Sequence, residues 1–198
     1  MAGVKEDKQR SSNTSQDLIV VHACCAPCLT TVIDRLSSQY RLVAVFYNPN
    51  IHPHEEYERR LAGMDYLCAE TGTRLITLEY DSNVWTYKTR GLEDEPEGGK
   101  RCELCFYIRL ARTAQITVQL GINIFTTTLT VSPHKHAGKI NSIGRAAAAA
   151  VGIEYLDADF KKQDGFKKSC ELSSKYGLYR QHYCGCMYSA GLGQERML

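Results

Sequence analysis

Five times along this chain a short apolar, β-branched run gives way to a longer amphipathic stretch, and that alternation limits the possible folds more than any other feature. Residues 18–23, 41–47, 74–80, 122–129 and 154–158 read as strands. Residues 29–39, 54–71, 102–120, 134–151 and 166–176 carry helical spacing. Gly72, Gly121, Gly152 and Gly177 follow four of those helices, where a chain leaving a helix favours left-handed backbone. Strands that alternate with helices build a parallel sheet covered on both faces, with right-handed crossovers. The expectation is therefore an α/β protein: a single three-layer, Rossmann-like domain over residues 18–198, with a mainly parallel five-stranded sheet. Residues 1–17 read as a flexible polar tail. Ligands in such folds bind beyond the carboxyl ends of the strands, where strand order reverses.

Composition supports a real core, with 43% apolar and 23% charged residues among 198. The longest uncharged stretch, 113–134, holds six threonines and is broken by Gly121 and Pro133, so no membrane span is expected. The first 17 residues lack an apolar core, so no secretory signal is expected and the reading is cytoplasmic. The net charge of +2 indicates no polyanion partner by itself. Residues 134–198, however, hold 10 Lys/Arg against 6 Asp/Glu, a basic excess suited to phosphate or simply to a solvated face.

The anomaly is cysteine. Nine in 198 residues is a high and odd count. Without an export signal, clustered cysteines point to metal ligation or redox chemistry rather than to a disulfide framework. Cys24 and Cys25 end the first strand, and Cys102-Glu-Leu-Cys105 opens a helix. A helix N-terminus favours thiolate, and two such pairs brought together offer four sulfurs to zinc or to an iron–sulfur cluster. Spacing alone leaves that choice open. Cys184-Gly185-Cys186 forms a second constellation. With one intervening residue its disulfide is strained and easily reduced, and reduced it can chelate a metal. Cys28 leans to a structural role, and Cys68 and Cys170, on apolar helical stripes, read as core.

Other residues carry two readings each. His134, after a strand, suits an acid, a ligand or a phosphate contact, and equally a solvated loop; His52 and His54 are similar. Lys161, Lys162, Lys167 and Lys168 suit an RNA backbone or plain solvent. Tyr176, Tyr179, Tyr183 and Tyr188 crowd Cys184, where they either pack on the core or stack on an unstacked base.

Six blocks carry a family resemblance: HACCAPC (22–28), FYNPNIHPHEEYERR (46–60), GLEDEPEGGKRCELCFYIRL (91–110), FTTTLTVSPHK (125–135), DFKKQDGFKKS (159–169) and YGLYRQHYCGC (176–186). In these the chain resembles the cobalamin-independent epoxyqueuosine reductases, the QueH family. The resemblance implies a Rossmann-like (HUP-like) fold and reduction of epoxyqueuosine to queuosine at the wobble position of tRNA. It implies a [4Fe–4S] cluster on the positions of Cys24, Cys25, Cys102 and Cys105, a redox-active pair at Cys184 and Cys186, and a second iron whose ligands it does not assign. The partners implied are a tRNA bearing epoxyqueuosine in its anticodon and an unidentified electron donor, with no membrane. Turning an epoxide into an alkene takes two electrons and two protons and releases water. One such cluster passes electrons singly, so a second redox element is expected. Asp81, His134, Asp159 and Tyr183 are positional candidates for the proton donor; Lys161, Lys162, Lys167 and Lys168 are candidates for tRNA contact.

Two rivals stand beside this reading. An ATP-dependent tRNA-thiolating or adenylating enzyme of similar fold needs a glycine-rich phosphate loop after strand one, and residues 22–28 contain no glycine. A zinc-binding RNA module would hold one zinc and no iron.

Overall fold

A computed structural model describes residues 16–189. Five strands, β1 (Asp17–His22), β2 (Tyr40–Phe46), β3 (Arg74–Thr77), β4 (Ile124–Thr127) and β5 (Glu154–Tyr155), form one sheet in the order β3-β2-β1-β4-β5. Every pairing is parallel. The six helices are α1 (Ala26–Leu36), α2 (His54–Thr71), α3 (Ser82–Lys88), α4 (Lys100–Gln119), α5 (Ala137–Ala149) and α6 (Gly165–Lys175).

Side-chain alternation along β1 and β2 decides which layer goes where. Val20, Val43 and Val45 face one side and pack with Leu110 and Ala114 of α4, Ile140 of α5 and Trp85 of α3. Ile19, Val21, Ala44 and Phe46 face the other and pack with Leu29 and Val32 of α1 and Met64 and Leu67 of α2. β1 is buried from Ile19 onward, as expected of a central strand in a doubly covered parallel sheet. Each such fully buried Val or Ile contributes about 1.5–3 kcal/mol relative to exposure.

The α/β class and the five strands match the sequence expectation; several boundaries do not. β1 begins at Asp17, one residue inside the expected tail, and residues 1–15 and 190–198 lie outside the described residues. β5 has two residues where five were expected: the Leu156 N–H still donates to the Phe125 carbonyl, but the Leu156 carbonyl accepts the Thr126 hydroxyl instead of a backbone N–H. The Thr-rich run expected as one strand splits into β4 and a 3-10 turn, Thr128–Val131. Thr127 caps that turn, its side-chain oxygen accepting from the Leu129 N–H, a local bond that competes with the sheet ladder. Helix α3 was not anticipated. Its one apolar anchor is Trp85, and seven residues show too little periodicity to register.

Strand order reverses between β1 and β4, so their carboxyl ends diverge into separate crossovers and leave a crevice. Register sets His22 beside Thr127, which puts Cys24 and the Thr128 turn together at that crevice.

Candidate active site

Cys25 is the N-cap of α1, and Pro27 occupies its first turn, a position where the missing proline N–H costs nothing. Cys24, Cys25 and Cys28 are thereby folded onto one side, all three sulfurs within 4.8 Å of one another. The Cys24 and Cys25 sulfurs are 3.8 Å apart. Cys28, read from the sequence as structural, belongs with them. The Cys-Ala-Pro-Cys spacing at a helix start, like that of Cys102 and Cys105, is what folds its sulfur toward the other two. Around this trio the protein supplies donors to sulfur. The Thr128 hydroxyl donates to Cys24 Sγ at 3.3 Å, and the Gln181 amide donates to Cys25 Sγ at 3.0 Å. Hydrogen bonds from Cys25 and Cys28 hold the Cys24 thiol well below its ordinary range, helped by the positive charges of Arg109 and Lys135. The same bond, seen from its other end, pushes Cys25 up to about 11. Such a trio favours one thiolate at a time in the absence of a cation.

Cys102 lies in the first turn of α4, where the Gly98 N–H donates to its sulfur at 3.2 Å. Cys105, one turn on, is buried, and burial raises its thiol. Cys184 and Cys186 follow α6 in irregular chain, their sulfurs 3.5 Å apart, with the Ser189 hydroxyl 2.9 Å from Cys184 Sγ. Cys184 is lowered by its bond with Cys186, and Cys186 is correspondingly raised.

Two adjoining cavities join these groups. One, about 240 Å³, is lined by Cys102, Cys105, Cys184 and Cys186 with Trp85 and Arg101. The other, about 150 Å³, is lined by Cys24, Cys28 and Cys184 with Arg60, Gln181 and Tyr183. Cys184, Arg109, His134 and Lys135 line both. Seven of nine cysteines thus gather at the strand ends. Cys68 is core, as expected, but Cys170 is only partly buried. Arg109, on α4, is buried and held by Asn48, its Nη2 donating to Asn48 Oδ1 at 2.6 Å. Asn48 in turn donates to the Ala23 carbonyl, so the end of β2 fastens a cation between the cysteine groups. Lys135 lines both cavities, with Arg101 and Lys139 in the first and Arg60 and Arg180 in the second, so the bases outnumber the shared Glu97 and each cavity is receptive to anionic groups.

The candidate proton donors divide. His134 reaches both cavities, exposed at its outer side. Tyr183 reaches the second, but its hydroxyl donates to the His52 carbonyl at 2.6 Å and burial pushes it up to about 12. Asp81 lines neither cavity; it sits at the N-cap position of α3 without a side-chain cap bond, and its carboxylate accepts from Tyr47. Asp159 lines neither, and pairs with Lys161 at 3.0 Å. Of the four lysines, Lys161 is thus engaged and Lys168 lies 3.8 Å from Asp34, while Lys162 and Lys167 are exposed. Sequence reasoning passed over Arg60, Arg109 and Gln181. Arg60 was legible: with Met64 and Leu67 it falls at positions i, i+4 and i+7 of the buried stripe of α2.

Thiols gathered at the switch point of a parallel α/β sheet, ringed by N–H and O–H donors to sulfur and by buried arginine, define a Rossmann-like protein built for metal–thiolate and redox chemistry. Comparison with known proteins narrows this. A family model described as epoxyqueuosine reductase QueH matches residues 19–191. The chain is 43% identical over 178 residues to epoxyqueuosine reductase QueH of Streptococcus pyogenes serotype M1, covering 87% of this chain and 70% of that one. It is 35% identical over 175 residues to the Thermotoga maritima protein of that name, covering 86% and 89%. The chain belongs to the epoxyqueuosine reductase QueH family. Among solved structures, the U34-tRNA thiolase NcsA from Methanococcus maripaludis with its [4Fe-4S] cluster aligns over 91% of this chain and 63% of its own, with a TM-score of 0.51 and 14% identity. That likeness concerns the fold. Among the described residues no helix is long and apolar enough to cross a membrane.

Proposed function

We propose that this chain reduces epoxyqueuosine to queuosine in tRNA, as the relatives' name describes, using an iron–sulfur cluster and the Cys184/Cys186 pair. The observation that carries the reading is the convergence of six cysteines on two adjoining cavities at the β1/β4 switch point, with Cys25 packed beside Cys24 and Cys28. The donor set suits a cluster: soft thiols, donors already aimed at sulfur, and buried cations to offset the negative charge of thiolate-bound iron. In this proposal Cys24, Cys25, Cys102 and Cys105 hold a [4Fe–4S] cluster, which supplies single-electron transfer when bound. Any further mononuclear iron would draw on Cys184 and Cys186.

The chain's own residues do the rest. As a dithiol the Cys184/Cys186 pair carries two electrons and two protons. Closing it to a disulfide while an epoxide becomes an alkene and water balances every atom, and an external electron donor then restores the dithiol. The lowered Cys184 thiol is the nucleophilic member of such a pair. His134, at the rim of both cavities, is the best placed of the proton-donor candidates for the departing oxygen. Lys162 and Lys167, both exposed, are left to meet the tRNA backbone. The thiolating rival finds no support at the end of β1, where residues 22–28 carry cysteines in place of a glycine loop.

The test is anaerobic turnover. Protein purified without oxygen, given a reductant and tRNA carrying epoxyqueuosine, is expected to yield queuosine-containing tRNA by nucleoside mass analysis, with about four or more irons per chain. Zinc without iron, or no conversion by iron-loaded protein, overturns the reading.

A further inference from the structure

The irregular segment that carries Cys184 and Cys186 is fastened to α2 by a buried ion pair. Arg60 is 3% exposed and its ion-pair partner Glu56 is 5% exposed. The Arg60 guanidinium uses each of its three nitrogens. Nε donates to Glu56 Oε1 at 2.7 Å, Nη1 to the Cys184 carbonyl at 3.1 Å and Nη2 to the Tyr183 carbonyl at 3.2 Å. The Tyr183 ring also lies against it, 5.3 Å from ring centre to guanidinium carbon. Glu56 is fixed from its other side, Oε2 accepting from the Tyr179 hydroxyl at 3.0 Å. One carboxylate and one guanidinium on adjacent turns of α2 therefore hold both ends of residues 179–184.

The next residue depends on them too. Gly185 has φ +110, and a Cβ there would lie 3.0 Å from Ile51 Cγ1 and 3.1 Å from Arg60 Nη1. Its carbonyl accepts from the His52 N–H at 2.7 Å. The glycine between the two cysteines is thus required where the backbone presses on Arg60. Arg60 also lines the cavity that Cys24, Cys28 and Cys184 share, so it stands where the strand-end cysteines and the loop pair meet. A buried ion pair is no automatic gain in stability, because desolvation offsets the attraction. What a planar fork with three used nitrogens provides is geometry, which a lysine cannot reproduce.

We propose that Arg60, oriented by Glu56, is the positioning residue of the Cys184-Gly185-Cys186 segment: it sets where that dithiol stands relative to the strand-end cysteines. Its hydrogen bonds go to Glu56 and to the Tyr183 and Cys184 carbonyls rather than to sulfur, so it acts through the backbone of the segment. The inference deepens the proposed function and rests on it only for the use of this pair in turnover.

The test compares anaerobic wild-type protein with Arg60→Lys and Glu56→Gln. Three quantities are read: kcat and KM on tRNA carrying epoxyqueuosine, the rate of Cys184 alkylation by iodoacetamide mapped by peptide mass analysis, and iron per chain with its broad visible absorbance. Arg60→Lys is expected to lower kcat by about 100-fold, the order of loss for a misplaced reacting group, with KM near wild type. Cys184 alkylation should quicken, and iron content should not change. Glu56→Gln should move the same readings in the same direction by less, and it decides the matter if Arg60→Lys does not fold. Wild-type kcat and alkylation in a folded variant would overturn the proposal. So would loss of the cluster's broad visible absorbance in step with activity, which would make Arg60 a support of the strand-end cysteines. Should wild-type protein itself fail to reduce epoxyqueuosine, the function fails separately, and alkylation and iron content still decide the role of Arg60.

Discussion

Cys24 and Cys25 leave the central strand of the sheet, whereas Cys184 and Cys186 sit in a segment with no regular structure before the 3-10 turn Met187–Ser189. The first group inherits its rigidity from β1, buried from Ile19 to His22 and paired on both edges. The second is held from outside, by Arg60, by Tyr183 bonded to His52 and by Gly185 bonded to His52. On the proposed assignment a cluster would need ligands that hold still, which a buried central strand supplies, and a pair that opens and closes would need some backbone freedom, which a loop tied at a few points supplies.

Five measurements test the contrast. The largest effect is expected from the proposed cluster ligands after β1 and on α4. Cys24→Ser or Cys102→Ser should abolish turnover and remove the broad visible absorbance of the anaerobic protein, and full retention of iron and sulfide in either would break the ligand assignment. Next, Cys184→Ser and Cys186→Ser should each abolish epoxide reduction while the absorbance stays nearly intact. Loss of the whole cluster in one of them would make that residue a cluster ligand and erase the distinction. Thiol counting across a single turnover separates the pair's two uses: two thiols lost with iron unchanged fits a disulfide, while iron lost on mutation without thiol loss fits a metal site.

A smaller effect is expected at the surface. Changing Lys162 and Lys167 together to alanine should lower the salt slope of tRNA binding by about one unit per lost phosphate contact. An unchanged slope would return both to plain solvated surface. The smallest effect belongs to Cys68, buried in the core on α2 and away from both cavities. Cys68→Ala should keep iron and turnover and cost about 1 kcal/mol in denaturant unfolding. Iron loss there would mean that the cysteine groups are less separable than the fold suggests.

Much of the site was legible because it is local. Cys24, Cys25, Cys102 and Cys105 lie where a strand ends or a helix begins, and both positions can be read from periodicity. Cys28, which lies one helical turn beyond Cys24 and Cys25 and so leaned to a structural role, is brought by that same turn to within 4.8 Å of both sulfurs. Asp81 and Asp159 were chosen by their nearness to strand ends, yet α3 and the Lys161 pairing draw them aside. Position along a strand fixes an end of the sheet and leaves open which way a side chain turns.

The sequence by itself determined the α/β alternation, the covered parallel sheet and the separate cysteine motifs, since these follow from apolar period and from neighbours a few residues apart. Tertiary structure decided that β1 and β4 are adjacent, which makes the crevice, and that residues 179–186 cross to α2. It alone brought Arg60 to the Cys184 carbonyl, 124 residues away, and Gln181 to Cys25, 156 away. Contacts of that separation follow from strand order and from desolvation across packed layers, and no periodicity in a chain encodes either one locally.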